Sequence, residues 1–293
     1  TAEDESTQEW TVTIINDPNA CVNPLASSFS APEIAPTSAT IAWWHRYLET
    51  SYNVKVSTTA MTDMTATANT FDGVVNDTTI TLTGLAENTL YYVYVQSACG
   101  IETWTSYSFR TIVSPATIPY VYAFEDATEN NNWVLINGEQ TNKWYIGTVS
   151  SNSGNGLYIS NDNGTTNAYT TGSLAFAYAY RTISMETGDY VISYNWKAQG
   201  ESQYYDYLRA WLAPASFAFT PGQAPDGGTS VYNYATGNNP SGWISLDESH
   251  SLNQVSSWQS QTLTASVSAG TYNLVFMWAN DASGGSQPPA SVD

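Results

Sequence analysis

The stretch Ile80-Thr81-Leu82-Thr83-Gly84-Leu85-Ala86-Glu87-Asn88-Thr89-Leu90-Tyr91-Tyr92-Val93-Tyr94-Val95 decides the fold. Two runs of β-branched and aromatic residues flank a polar corner, and in the second run Tyr91, Val93 and Val95 fall on one face of a pleated strand. The same period of two recurs outward from this corner. Ala39, Ile41 and Trp43 share a face, as do Tyr52, Val54 and Val56, and the runs Tyr190–Trp196 and Tyr272–Trp278 alternate in the same way. No window keeps a 3.6-residue period for three turns, so the sequence predicts an all-β protein throughout.

Composition narrows the function. The 293 residues carry 7 Lys+Arg against 26 Asp+Glu, a formal charge of −19, although only 11% of residues are charged. Phosphate recognition needs clustered cations, so a nucleic-acid partner is excluded, and a basic membrane-surface helix fails for the same reason. Disorder is excluded by the 42% hydrophobic and 14% aromatic content. No run approaches the ~20 apolar residues of a membrane helix, and Thr1-Ala2-Glu3-Asp4-Glu5 lacks the basic and apolar regions of a signal peptide, so direct membrane insertion is not expected. Val113-Ser114-Pro115-Ala116-Thr117-Ile118-Pro119 interrupts the strand pattern and reads as a boundary. The expected organisation is the end of an upstream segment over 1–17, a first domain over 18–113 and a second over 118–293.

The first domain resembles the fibronectin type III module. A core Trp43, the corner Leu85, then Thr89 and Tyr91 appear in the family's order, and Trp104 and Phe109 fit its closing strand. The resemblance implies that the Tyr91 hydroxyl closes the corner against upstream backbone. It also implies a disulfide between Cys21, where the first strand would begin, and Cys99 of the Cys99-Gly100 pair, the alternative being two free buried thiols. Cys99 shares parity with Tyr91 and is expected to point inward. Such a disulfide implies maturation outside the cytoplasm.

The second domain opens Tyr120-Val121-Tyr122-Ala123-Phe124-Glu125-Asp126, passes Trp133, Lys143–Gly147 and Gly156–Ser160, and ends Ala290-Ser291-Val292-Asp293. This order is similar to the jelly-roll modules grouped with MAM domains and the cleaved-adhesin domains of gingipain-type surface proteins. The resemblance implies a secreted or cell-surface bacterial protein, non-catalytic, acting in adhesion or glycan binding, with a glycan or a host cell-surface protein as partner. It further implies that Glu125 and Asp126 end the first strand and that Glu125 and Asp293 hold a structural calcium. The bland alternative is a pair of solvated carboxylates at strand ends.

Two function classes compete with a binding module: a structural spacer in a longer surface protein, and a glycosidase. In the run Gln203–Leu212, Tyr204, Leu208, Ala210 and Leu212 form one face, and Tyr205, Tyr207, Arg209 and Trp211 the other. Aromatic rings with a few hydrogen-bonding groups suit the C–H faces and hydroxyls of sugars, which makes those four the candidate ligand-binding residues. The same alternation suits a packed sheet face covered by the long loop 213–257. Asn161-Asp162-Asn163-Gly164 reads as a turn. Catalysis has little support: His45 and His250 lack a nucleophile partner, and the spacing of Glu125, Asp126 and Glu129 would not place all three on one inward strand face for glycoside hydrolysis.

Overall fold

The computed structural model describes residues 21–46, 49–99, 103–202 and 204–293. The expected upstream segment 1–17, with Gly100 and Gln203, lies outside them. The chain divides into two compact units between Ile112 and Val113.

Among its described residues the first unit has seven strands: β1 (Ser30–Ile34), β2 (Ser38–Ala42), β3 (Tyr52–Ser57), β4 (Phe71–Val75), β5 (Thr79–Thr83), β6 (Leu90–Ser97) and β7 (Thr105–Arg110). They form an antiparallel sheet β1-β2-β5 and a second sheet β4-β3-β6-β7, a fibronectin type III-like sandwich. Alternation places Ala39, Ile41, Val54, Val56, Val93, Val95 and Phe109 between the sheets, with Trp43 edge-on to Tyr52 at 5.4 Å. The quoted stretch is the β5–corner–β6 connection. Its Tyr91 hydroxyl accepts the Ala86 N–H at 2.8 Å, which closes the corner. Cys21 and Cys99 are joined. Cys99 is exposed rather than inward, because β6 ends at Ser97 and the alternation stops with it.

The second unit contains β8 (Val134–Ile136), β9 (Lys143–Gly147), β10 (Gly156–Ser160), β11 (Ala175–Met185), β12 (Gly188–Ala198), β13 (Tyr207–Pro214), β14 (Ile244–Ser245), β15 (Val255–Val267), β16 (Gly270–Asn280) and β17 (Ser291–Val292). Two five-stranded antiparallel sheets result, β15-β12-β17-β10-β9 and β14-β13-β16-β11-β8. Their inner faces supply the core, including Trp144, Leu157, Ile159, Trp196, Leu208, Ala210, Leu212, Phe276 and Trp278. A second apolar cluster forms on the outer face of the β13–β16–β11 sheet, under the insertion between β13 and β15.

The segment Tyr120–Phe124, expected to be a strand ending at Glu125 and Asp126, belongs to no sheet. Asp126 instead caps the single helical turn Ala127–Asn130, its carboxylate accepting the N–H groups of Thr128 (2.8 Å) and Glu129 (3.4 Å).

Candidate functional site

The expected ligand platform on β13 is a covered face. Tyr207, Arg209 and Trp211 are fully buried, and only Tyr205, which precedes the strand, is exposed. Phe217, Phe219, Tyr234 and Trp243 of the insertion lie over that face, with Trp211 edge-on to Trp243 at 5.4 Å and to Tyr234 at 6.3 Å. Alternation separates the two faces of a strand but does not say which of them another segment covers.

Arg209 anchors the insertion. Its Nε donates to Asp247 Oδ2 at 2.5 Å and its Nη2 to Asp247 Oδ1 at 3.2 Å, while further N–H groups reach the Tyr234 carbonyl, the Asn238 carbonyl and Asn239 Oδ1. Both partners of this ion pair are 0% exposed. The guanidinium also sits over the Trp211 ring, 4.5 Å from its centroid. The basic residue that suggested ligand recognition is thus a tether for a loop.

The expected calcium pair is engaged by a turn. Glu125 accepts from the Asn155 backbone N–H at 2.7 Å and its side-chain amide at 3.1 Å; Asp293 accepts from the N–H groups of Asn152 (2.7 Å) and Ser153 (3.1 Å).

A different set offers oxygens together. Carboxylate atoms of Glu201, Asp206 and Asp281 lie within 4.8 Å of one another, a set of hard ligands of the kind a divalent cation takes. Sequence reasoning missed it because Glu201 and Asp206 lie in the β12–β13 connection whereas Asp281 follows β16, far away in the chain. Asp206 is buried and accepts from the Tyr169 hydroxyl at 2.5 Å and the Asp281 N–H at 3.1 Å. Gly285, at φ +96°, closes over it, and a Cβ there would collide with Tyr169 and Asp206. Burial pushes the Asp206 carboxyl up to about 7, with the charges of Asp281 and Glu201 adding to the rise against its two hydrogen bonds.

The folded chain therefore keeps this proton where the unfolded chain, near 3.8, has lost it. The stability it contributes is complete below the unfolded value and is lost as pH rises through about 7. In chelator-treated buffer, the melting temperature should fall between pH 5 and pH 8, and Asp206→Asn should flatten that slope. An unchanged slope in the variant would refute the assignment.

The outer face of the other sheet is open. On β12, Asp189, Val191, Ser193, Asn195 and Lys197 alternate with the inward residues Tyr190, Ile192, Tyr194 and Trp196, and register sets Asn195, Ser193, Val191 and Asp189 opposite Ser260, Thr262, Thr264 and Ser266 of β15. Ser260 donates to Asn195 at 2.6 Å. At one end of the row the Lys197 Nζ lies over the Trp258 ring, 5.0 Å from its centroid, and partial burial draws its pKa down. The face is mostly uncharged on a chain of charge −19.

The second unit also holds a cavity of about 370 Å³ at one end of the inter-sheet core. Tyr120, Tyr122, Phe124, Tyr190, Tyr194 and Phe276 are among its lining, and the rings of Tyr120, Tyr122, Phe124 and Trp133 follow one another at 5.9, 5.3 and 5.2 Å. Burial raises the hydroxyls of Tyr120 and Tyr122 well above the usual phenol range, so both stay neutral. Asn163 and Gly164 have positive φ and form the expected turn. His45 and His250 are exposed.

No protein-family model matches the chain. No curated protein matches it either. Among solved structures, the fibronectin type III domain of the human collagen alpha-1(XX) chain is 21% identical, covers 34% of this chain and 92% of its own length, and has a TM-score of 0.28. A structure of carbohydrate-binding modules from the β-sandwich superfamily is 11% identical over 95% of this chain and 98% of its own, with a TM-score of 0.34. The tandem CBM22 domain of Paenibacillus barcinonensis Xyn10C is 13% identical over 92% and 79%, with a TM-score of 0.33. Likenesses at this level carry no argument about function.

Proposed function

We propose that the second unit binds a neutral glycan along the outer face of β12 and β15, as a non-catalytic adhesion module of the MAM and cleaved-adhesin kind exported from a bacterial cell. The observation that carries this reading is the Lys197–Trp258 pair at the head of a row of hydroxyls and amides. An indole face stacks on sugar C–H groups, an ammonium and side-chain amides take the hydroxyls, and an open sheet face accommodates a chain rather than a small molecule. The sparse charge of the face suits an uncharged ligand. The Cys21–Cys99 disulfide supports an oxidising compartment.

Affinity electrophoresis through a panel of neutral polysaccharides tests the proposal. At least one polysaccharide should retard the protein, and Trp258→Ala should weaken that binding about tenfold or more, a loss of ~1.4 kcal/mol or greater. Equal retardation of the variant would move the ligand elsewhere. Free migration through every polysaccharide would favour the spacer.

A further inference from the structure

Strand β15 ends its sheet with a row of unused backbone groups. Asn195 of β12 exchanges N–H···O bonds with Asp293 at 2.8 and 2.9 Å, on the side away from β15. In an antiparallel ladder alternate residues aim both N–H and C=O to the same side, so Tyr190, Ile192, Tyr194 and Trp196 are the residues of β12 that bond to β15. Their register partners are Ala265, Leu263, Gln261 and Gln259. The intervening Ser260, Thr262, Thr264 and Ser266 therefore point N–H and C=O outward, at an edge where β15 has no further neighbour among the described residues.

Free backbone groups invite another strand, and sheet edges are ordinarily kept short, charged or interrupted by proline for that reason. The other edges among the described residues follow this rule. Strands β1, β4, β5, β7, β8, β9 and β14 have six residues or fewer, and β1 carries Pro32 and Glu33, β4 Asp72, β7 Arg110 and β9 Lys143. Strand β15 runs 13 residues, from Val255 to Val267, with no charge, proline or glycine. On a chain of charge −19 this is a stretch along which two copies meet without opposing like charges.

We propose that β15 pairs antiparallel with β15 of a second copy of this chain about a two-fold axis, joining two five-stranded sheets into one. The register that uses all four outward-pointing residues puts the axis beside Leu263. It sets Thr262 opposite the partner's Thr264 and Ser260 opposite the partner's Ser266, closing about eight backbone hydrogen bonds. Hydroxyl pairs of this kind are favourable across strands. Asp189, which accepts the Ser266 hydroxyl at 2.5 Å, lies ~20 Å along the strand from its counterpart in that register, well beyond the ~8 Å over which charges act in physiological salt. A foreign strand has to supply its own match, whereas a second copy carries one, because a two-fold interface is self-complementary. The axis stands normal to the sheet, so the outer faces of both copies lie on the same side. The pairing does not rest on the glycan proposal.

Sedimentation equilibrium of the full chain without glycan tests the pairing. The mass should rise with concentration from 31.9 kDa toward twice that value, and the amides of Ser260, Thr262, Thr264 and Ser266 should exchange more slowly in the dimer than in dilute solution. Thr262 and Thr264 are exposed, so charges placed there leave the core intact. Thr262→Asp with Thr264→Asp sets carboxylate against carboxylate at both central pairs and should weaken association about tenfold or more. Thr262→Lys with Thr264→Asp sets ammonium against carboxylate in the same register and should restore it. A mass that stays at 31.9 kDa at every concentration, or equal association of the two double variants, would overturn the proposal. A monomer whose edge amides are slowed by an added extended peptide would also overturn it, making a foreign strand the occupant.

Discussion

Asp247→Asn should lower the stability of the second unit by about 3–5 kcal/mol, the range for removing one partner of a buried ion pair. The size follows from what remains rather than from what is lost. Arg209 is fully buried, and with a neutral amide at position 247 its charge would keep only the Tyr234 and Asn238 carbonyls, the Asn239 side chain and the Trp211 ring. Asp247 also accepts the Ala210 N–H at 2.9 Å and the Ser245 hydroxyl at 2.6 Å, so the same carboxylate joins β13 to the insertion. Arg209→Met should cost a similar amount, leaving an uncompensated carboxylate. Joining it to Asp247→Leu should cost much less than the sum, because no buried charge is then left alone. Calorimetry on the two single variants and the pair distinguishes the cases. Additive losses, or a shift below ~1 kcal/mol in the single variants, would show that the pair does not hold the insertion down.

Replacing Cys21 and Cys99 together by serine should cost the first unit about 3–4 kcal/mol. The residues are 78 apart in sequence, and in the chain-entropy account closing a loop of that length disfavours the unfolded ensemble by roughly 4 kcal/mol. The native contacts around the bond survive its loss. Ser97 donates to the Val22 carbonyl at 2.6 Å, its N–H reaches Asn23 Oδ1 at 2.8 Å, and Thr105 donates to the Pro24 carbonyl at 2.9 Å. These bonds hold residues 22–24 against the ends of β6 and β7 independently, so the variant should fold and unfold at a lower denaturant concentration, with a steeper slope because the unfolded chain is no longer held compact. A midpoint that does not move would show that the unfolded chain is not constrained by the bond; failure to fold would show that residues 22–24 depend on it.

The sandwich of the first unit was legible because each local signal agreed with the global one. Trp43, Tyr52, Leu85 and Tyr91 are each placed by parity or by the corner, and all four are buried where the pattern puts them. The second unit was legible strand by strand but not layer by layer. The alternation of Tyr207, Arg209 and Trp211 is equally right for a ligand face and for a face packed under another segment, and only the path of residues 215–250 separates the two. Conversely, Ser193, Asn195, Ser260 and Thr262 carried no signal at all: each is an ordinary polar residue until register sets the two strands side by side. The Glu201, Asp206 and Asp281 cluster was hidden for the same reason, Asp281 being distant in sequence from the other two and brought to them only by the fold. The segment 120–124 shows a local pattern outrunning its context. It alternates as a strand should, but a strand needs a neighbour to pair with.

The insertion that seals the β13–β16–β11 face has a consequence for valency. With one broad face of the second unit occupied by the chain itself, the proposed glycan binding would use a single broad face of each copy, which would decorate a polysaccharide without bridging two strands of it through the sheets. Cross-linking through this unit would require several copies held together, and avidity would then be set by how those copies are spaced rather than by further contacts on any one of them.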